Sequence, residues 1–184
     1  VWYSVIRLAF RLFERPILRL MMRRMHNELR QAKRELFAEA LGQMRLEEGR
    51  QLEMLEIGAG CGENVEFYPL GASVTVLDKT NAFDAAYQQR LAERDDLRVS
   101  PLVLDHAECM HSIRSNSMDL VLHTFVLCSV DNISQVLAEI RRVLRPGGVC
   151  IFVEHAADMG SVTRRAVQRL VAQPLFGGDC KYLD

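Results

Sequence analysis

The chain has no CxxC pair, no GK[ST] signature and, in its first 25 residues, no apolar run longer than three. Each absence excludes something. Five cysteines (Cys61, Cys109, Cys128, Cys150 and Cys180), odd in number and widely spaced, build neither a disulfide framework nor a zinc site. They fit a reducing compartment. The short apolar runs exclude a transmembrane helix in residues 1–25. A net charge of −1 gives no bulk attraction for nucleic acid or for an acidic substrate. There is no initiator Met and the last residues do not read as a natural stop, so the expectation is a fragment. Hydrophobic residues at 49% and charged residues at 26% are ordinary for a folded domain and argue against disorder.

The charge is unevenly spread. Residues 1–30 hold Arg7, Arg11, Arg15, Arg19, Arg23, Arg24 and Arg30 against Glu14 and Glu28. That is a net +5, which leaves the remaining residues at −6. Arginines four apart stack along one helical stripe. Trp2, Phe10, Phe13, Ile17, Leu20 and Met21 fill much of the rest, and Pro16 kinks or restarts the helix. Two readings stand for residues 1–25. One is a basic amphipathic helix lying in a membrane interface; the other is a solvated arginine face on a helix packed against its own domain. The wide apolar face leans toward the membrane.

From residue 26 to 184 the pattern is one domain. Met25, Leu29, Ala32, Leu36, Phe37, Ala40, Leu41 and Met44 mark one face of a long helix. Strands are expected at Leu52–Ile57, Ser73–Leu77, Leu97–Leu104 (interrupted by Pro101), Asp119–Phe125 and Val149–Glu154. Helices are expected at Glu63–Tyr68 and Phe83–Glu93, from an Asp131 or Asn132 cap to the stop at Arg145–Gly148, and from Ser161 to about Ala172. Apolar strands separated by helices predict an α/β fold on a buried parallel sheet.

The stretch LEIGAGCGEN (Leu55–Asn64) carries the chemistry. A dinucleotide fingerprint needs a third glycine where Glu63 stands. The pattern present is Glu56-x-Gly58-x-Gly60-x-Gly62, with Ala59 between the first two glycines. Glycines let the backbone approach a ligand closely. An acid at the strand's end suits a zwitterionic ligand without phosphate, such as S-adenosylmethionine. Asp78 ends the second strand about 20 residues after the first glycine, placed to accept both ribose hydroxyls. Asn64 either bonds the ligand or caps the following helix. Asp105, Ala107 and Glu108 follow the third strand. There Ala107 offers a backbone N–H to the adenine, and Asp105 or Glu108 an acceptor for its amine. His106, Cys109 and His111 cluster in the same loop, but without a further pair they make a weak metal site, and no metal is expected.

With KRELF (Lys33–Phe37), the glycine loop, FYP (Phe67–Pro69), VTVLD (Val74–Asp78), VLCSV (Val126–Val130), RRVLRPGG (Arg141–Gly148) and EH (Glu154–His155), the chain resembles a class I methyltransferase. More narrowly, it is similar to the methyltransferase-like protein 7 group, the membrane-associated alkyl-thiol S-methyltransferases. The resemblance implies a Rossmann-like parallel sheet flanked by helices. Seven strands belong to that fold and five are countable here, so the last two are expected to be missing. It also implies S-adenosylmethionine as cofactor, a small lipophilic thiol as methyl acceptor, and an intracellular place at the endoplasmic reticulum membrane or lipid droplet surface. Residues 1–25 would supply the membrane contact.

No side chain reads as a nucleophile, and none is needed: the sulfonium is already a good leaving group, and a thiolate is a strong attacker. His155 is a weak candidate to orient or deprotonate the acceptor, against an equal reading as a structural histidine. Cys128 reads as a buried structural thiol before a substrate contact. His123 receives no role. Two other functions stay open: methylation of another small molecule or lipid, and a non-catalytic membrane-associated scaffold.

Overall fold

A computed structural model describes residues 24, 26–46, 49–81, 84–154, 156 and 159–167. The basic segment 1–25, except Arg24, lies outside the described residues. So do His155, Cys180 and the expected end of the last helix.

Helix α1 spans residues 26–43. Strands β1 (Glu53–Ile57) and β2 (Ser73–Asp78) follow, then helix α2 (Asp84–Leu91). Two short strands, β3 (Arg98–Val99) and β4 (Val103–Leu104), both pair with β2. They are the two ends of the single third strand expected at Leu97–Leu104. Pro101, which has no N–H to donate, sits in the gap. Strand β5 (Met118–Thr124), helix α3 (Ile133–Val143), strand β6 (Leu144–Val153) and helix α4 (Val162–Val167) complete the order. The sheet runs β3-β2-β1-β5-β6, and every described pairing is parallel. This is the expected Rossmann-like arrangement.

Strand alternation divides the core in two. Met54, Val74, Val76, Leu120 and Leu122 face α1 and α2, where Phe37, Ala40 and Tyr87 cover them. Leu55, Ile57, Leu77 and Val121 face α3, against Val136, Ile140 and Val143. Those three α3 residues recur at i, i+4 and i+7, one helical stripe. Asn132 caps α3 by accepting the Gln135 N–H at 3.1 Å. Leu137 of the same helix is half exposed.

Three expectations are corrected here. Helix α1 buries His26, Lys33, Phe37 and Ala40, whereas Ala32 and Leu36 face solvent. Glu63–Tyr68 is a turn followed by one 3-10 turn at Val65–Phe67, not an α-helix. Pro69 and Gly71 follow too closely for a longer helix to form. The fifth strand starts at Leu144, directly after α3, rather than at Val149. Its register jumps from Met118 opposite Leu144 to Leu120 opposite Val149, so the RPGG residues bulge out of the ladder.

At the amino end of the sheet, Asp119 binds both Arg50 nitrogens, at 2.9 and 2.8 Å, and the Glu53 N–H at 2.9 Å. Arg145 lies 2.7 Å from the same carboxylate. Burial works against ionisation, but these partners outweigh it and hold the Asp119 carboxyl below its ordinary value. This clamp joins β1, β5 and β6 at the end remote from the glycine loop.

Candidate functional site

Strand order reverses between β1 and β5, because β2 and β3 lie on one side of β1 and β6 beyond β5 on the other. In open α/β sheets the crevice at the carboxyl ends of two such strands receives the ligand. The glycine loop leaves β1 at this place, and Thr124 and Phe125 leave β5 beside it.

Each loop glycine has its own reason. Gly58, Gly60 and Gly62 all have positive φ, at 69°, 53° and 77°. A side chain on Gly58 would meet Val126, and one on Gly62 would meet Tyr87 and Arg90 of α2. A Cβ on Gly60 would meet nothing within 4 Å. The middle of the loop therefore presents bare backbone to open space, while its two ends are packed. The Gly58 N–H donates to Leu77 O at 2.8 Å, joining the loop to the end of β2 one residue before Asp78. Asp78 is half-buried at the sheet edge and accepts the Thr80 N–H at Oδ1. Glycine backbone and an acid thus border one crevice.

Beneath the loop lies a buried polar network. β1 alternation turns Glu56 to the α1 face with Met54, fully out of solvent. Asn64 Nδ2 donates to Glu56 Oε1 at 2.7 Å, and the Tyr68 hydroxyl donates to Oε2. Asn64 Nδ2 also donates to Thr124 Oγ1 at 3.1 Å, and Lys33 Nζ donates to Asn64 Oδ1 at 2.8 Å. Burial pushes the Glu56 carboxyl up to about 7, against the lowering pull of Asn64 and Lys33. Burial also lowers Lys33. Glu56 and Asn64 therefore support the loop from inside. Asn64 makes no side-chain cap to the 3-10 turn, which corrects the capping expectation. Its amide is drawn inward instead by buried Glu56 and Lys33 and half-buried Thr124. Ala59 is buried.

The loop after β4 is also organised from within. Asp105 accepts the backbone N–H groups of His106 at 2.8 Å and His111 at 2.9 Å. Burial opposes ionisation there too, but the His106 and His111 amides with Cys109 hold Asp105 below its ordinary value. Glu108 accepts the Asp131 N–H at 2.8 Å, tying this loop to the one after β5. Ala107 packs into the core on the α3 side. Asp105 and Glu108 shape the loop that Ala107 lies on, and both carboxylates are engaged by backbone.

Two residues without an assigned role meet at the same edge. His123 Nδ1 lies 2.8 Å from Glu154 Oε1, which also accepts the Val126 and Leu127 N–H groups at 3.0 and 3.1 Å. The His123 ring stacks on Phe152, with centroids 5.5 Å apart. Glu154 thereby holds the segment that follows Phe125, whose φ of 57° is unusual for a bulky residue. The EH motif was the only sequence signal for it. Cys128 is buried, with Sγ 3.4 Å from Phe125 O, as a structural thiol would be.

A separate opening of about 400 Å³ is bordered by Glu53, Thr75, Val103, Ile113, Met118 and Arg145. No glycine-loop residue lines it, and Arg145 there belongs to the Asp119 clamp.

A family model described as a methyltransferase domain matches residues 55–152, from the glycine loop through β6. The chain belongs to this methyltransferase domain family. The methyltransferase domain is similar to the human thiol S-methyltransferase TMT1B, at 40% identity over 133 residues, covering 72% of this chain and 54% of the relative. Human thiol S-methyltransferase TMT1A is 39% identical over 132 residues, covering 72% and 53%. The chain thus spans about half the length of these curated relatives. Among solved structures, a SAM-dependent methyltransferase of Thermotoga maritima, described as a possible histamine N-methyltransferase, superposes with a TM-score of 0.59. It is 18% identical, with 94% of this chain and 73% of that one covered, a likeness of fold.

Proposed function

We propose that this methyltransferase domain binds S-adenosylmethionine in the crevice between β1 and β5 and serves S-methylation of small lipophilic thiols at a membrane surface. The observation that carries the donor reading is the glycine loop at the switch point. Its middle glycine faces open space, and Asp78 ends the neighbouring strand. The residues fit the donor. Bare backbone at Gly60 admits a close approach, and Asp78 suits a ribose diol.

Bound there, S-adenosylmethionine supplies a methyl group on a sulfonium, open to in-line displacement. The protein's part is to position and to exclude water. Gly58–Gly62 and Asp78 hold the donor. Glu154 fixes the segment after β5, which borders the acceptor side of the crevice. No side chain need form a covalent intermediate, and His155 is the base candidate within this reading.

The thiol acceptor is supported by the likeness to proteins named thiol S-methyltransferases. The membrane surface is supported by the arginine-rich, aromatic-bearing residues 1–25. The endoplasmic reticulum or a lipid droplet would be the place where such thiols partition.

Activity of the full chain on alkyl thiols, phenols and amines tests the acceptor. Turnover of thiols is expected, and turnover confined to phenols or amines overturns it. Liposome flotation with and without residues 1–25 tests the membrane contact, and equal flotation removes it.

A further inference from the structure

The KRELF motif has no place in the donor crevice, yet the fold buries two of its residues. Lys33 and Phe37 are one helical turn apart, so both point from α1 to the same side. They are 2% and 4% exposed, whereas Arg34, Glu35 and Leu36 face solvent. Both meet the segment that follows the glycine loop. Phe37 stacks on Phe67 at 5.6 Å, and Lys33 reaches Asn64. A lysine taken out of water is costly and is kept only where its ammonium is used. Here Glu56, Glu63 and Glu66 surround it with negative charge. Its bond within the described residues is to the neutral amide of Asn64.

That choice of partner has a geometric consequence. An ammonium donates only, so it fixes which end of the Asn64 amide faces it. Oδ1 must point to Lys33, and Nδ2 must then point to Glu56 and Thr124. The reverse orientation would set Oδ1 against the Glu56 carboxylate. Held this way, Asn64 joins the loop's exit to β1 through Glu56 and to β5 through Thr124, the two strands that flank the crevice. The loop closes on the same residues, with Gly62 N–H donating to Ala59 O at 2.9 Å and Val65 N–H to Gly62 O at 3.2 Å.

We propose that Lys33 is a positioning residue of the donor site: by orienting the Asn64 amide it fixes the exit of the glycine loop against β1 and β5, and so sets the shape of the cradle. The inference rests on the donor reading above but acts on the loop itself, with or without ligand. A second clamp on α1 separates this role from mere helix docking. Glu66 accepts from Arg30 Nε at 2.7 Å and lies 2.8 Å from His26 Nε2, without touching Asn64.

The test compares the full chain with Lys33→Met and Arg30→Gln, by amide hydrogen exchange over residues 58–64 and by calorimetry with S-adenosylmethionine. Lys33→Met is expected to speed exchange in the loop. It is also expected to weaken donor binding by about tenfold, the scale on which losing a residue that orients a direct ligand acts. Arg30→Gln, which opens the clamp but keeps the Glu66 charge near Lys33, is expected to lower the melting temperature slightly and leave loop exchange and affinity unchanged. Wild-type loop exchange in folded Lys33→Met overturns the proposal, as does an Arg30→Gln variant that loosens the loop equally. If Lys33→Met does not fold, Lys33→Gln, polar but one bond too short for Asn64, takes its place under the same expectations. A wild-type chain that fails to bind S-adenosylmethionine sinks the donor reading, while the exchange comparison still decides the hold of Lys33 on the loop.

Discussion

Val126 occupies the space that a side chain on Gly58 would need: a Cβ there would fall 2.7 Å from Val126 Cγ2. The first loop glycine is thus fixed by the segment after β5, and that segment by Glu154. Gly60 differs, since its Cβ position is open. Gly58→Ala combines backbone strain with overpacking and should cost about 2–4 kcal/mol of stability. Gly60→Ala should cost only about 1 kcal/mol, the strain of its positive φ. It should nevertheless weaken S-adenosylmethionine binding, because its methyl group enters the cradle. Urea unfolding beside calorimetry checks both. A Gly60→Ala protein with wild-type affinity would place the donor elsewhere.

Glu56 makes stability depend on pH in an unusual direction. Its carboxyl rises from 4.5 to about 7 in the fold because burial disfavours the charge. Between those values the folded chain keeps a proton that the unfolded chain has released. Stability from this group is therefore full below about pH 4.5, falls as pH rises to 7, and is flat above it. The fall is at most about 3 kcal/mol. Glu56→Gln should remove it, so that the variant gains on the wild type between pH 5 and pH 8. Denaturant midpoints at the two pH values measure this, and parallel curves would contradict the buried network.

Glu154 accepts two backbone amides and His123 through one oxygen. Glu154→Ala leaves buried donors without an acceptor and should cost about 2–4 kcal/mol. Glu154→Gln keeps an acceptor oxygen and should cost less than half as much. Equal losses in thermal unfolding would show that the charge, rather than the acceptor, holds the loop.

Asp119 is the control at the far end of the sheet. Asp119→Ala removes the carboxylate shared by Arg50, Arg145 and the Glu53 N–H and should destabilise by about 1–3 kcal/mol. Donor affinity per folded molecule should not change. An affinity loss would mean that the amino-end clamp reaches the crevice.

Much of this was legible because it is local in sequence. The glycine spacing, the acid ending VTVLD, the apolar strands and the Pro101 interruption each lie within a few residues, and the sheet follows from them. What escaped is long-range. Lys33 is a charged residue on an amphipathic helix and reads as solvated until Asn64, 31 residues away, is found beneath the loop. Asn64 reads as a ligand contact or a cap because both are local roles, and its partners Glu56 and Thr124 come from two separate strands. His123 and Glu154 are likewise 31 residues apart. The Arg50 bond to Asp119 spans 69 residues. Burial of a charge depends on such partners, and no short window displays them.

The central claim is a donor site bordered by the glycine loop and Asp78, and titration of the full chain with S-adenosylmethionine tests it most directly. The account predicts one-site binding by the wild type and affinity about 10–100-fold weaker in Asp78→Ala, the scale of a lost charge-assisted hydrogen bond, with the melting temperature unchanged. A folded wild-type chain that does not bind, or an Asp78→Ala variant that binds equally well, would contradict it.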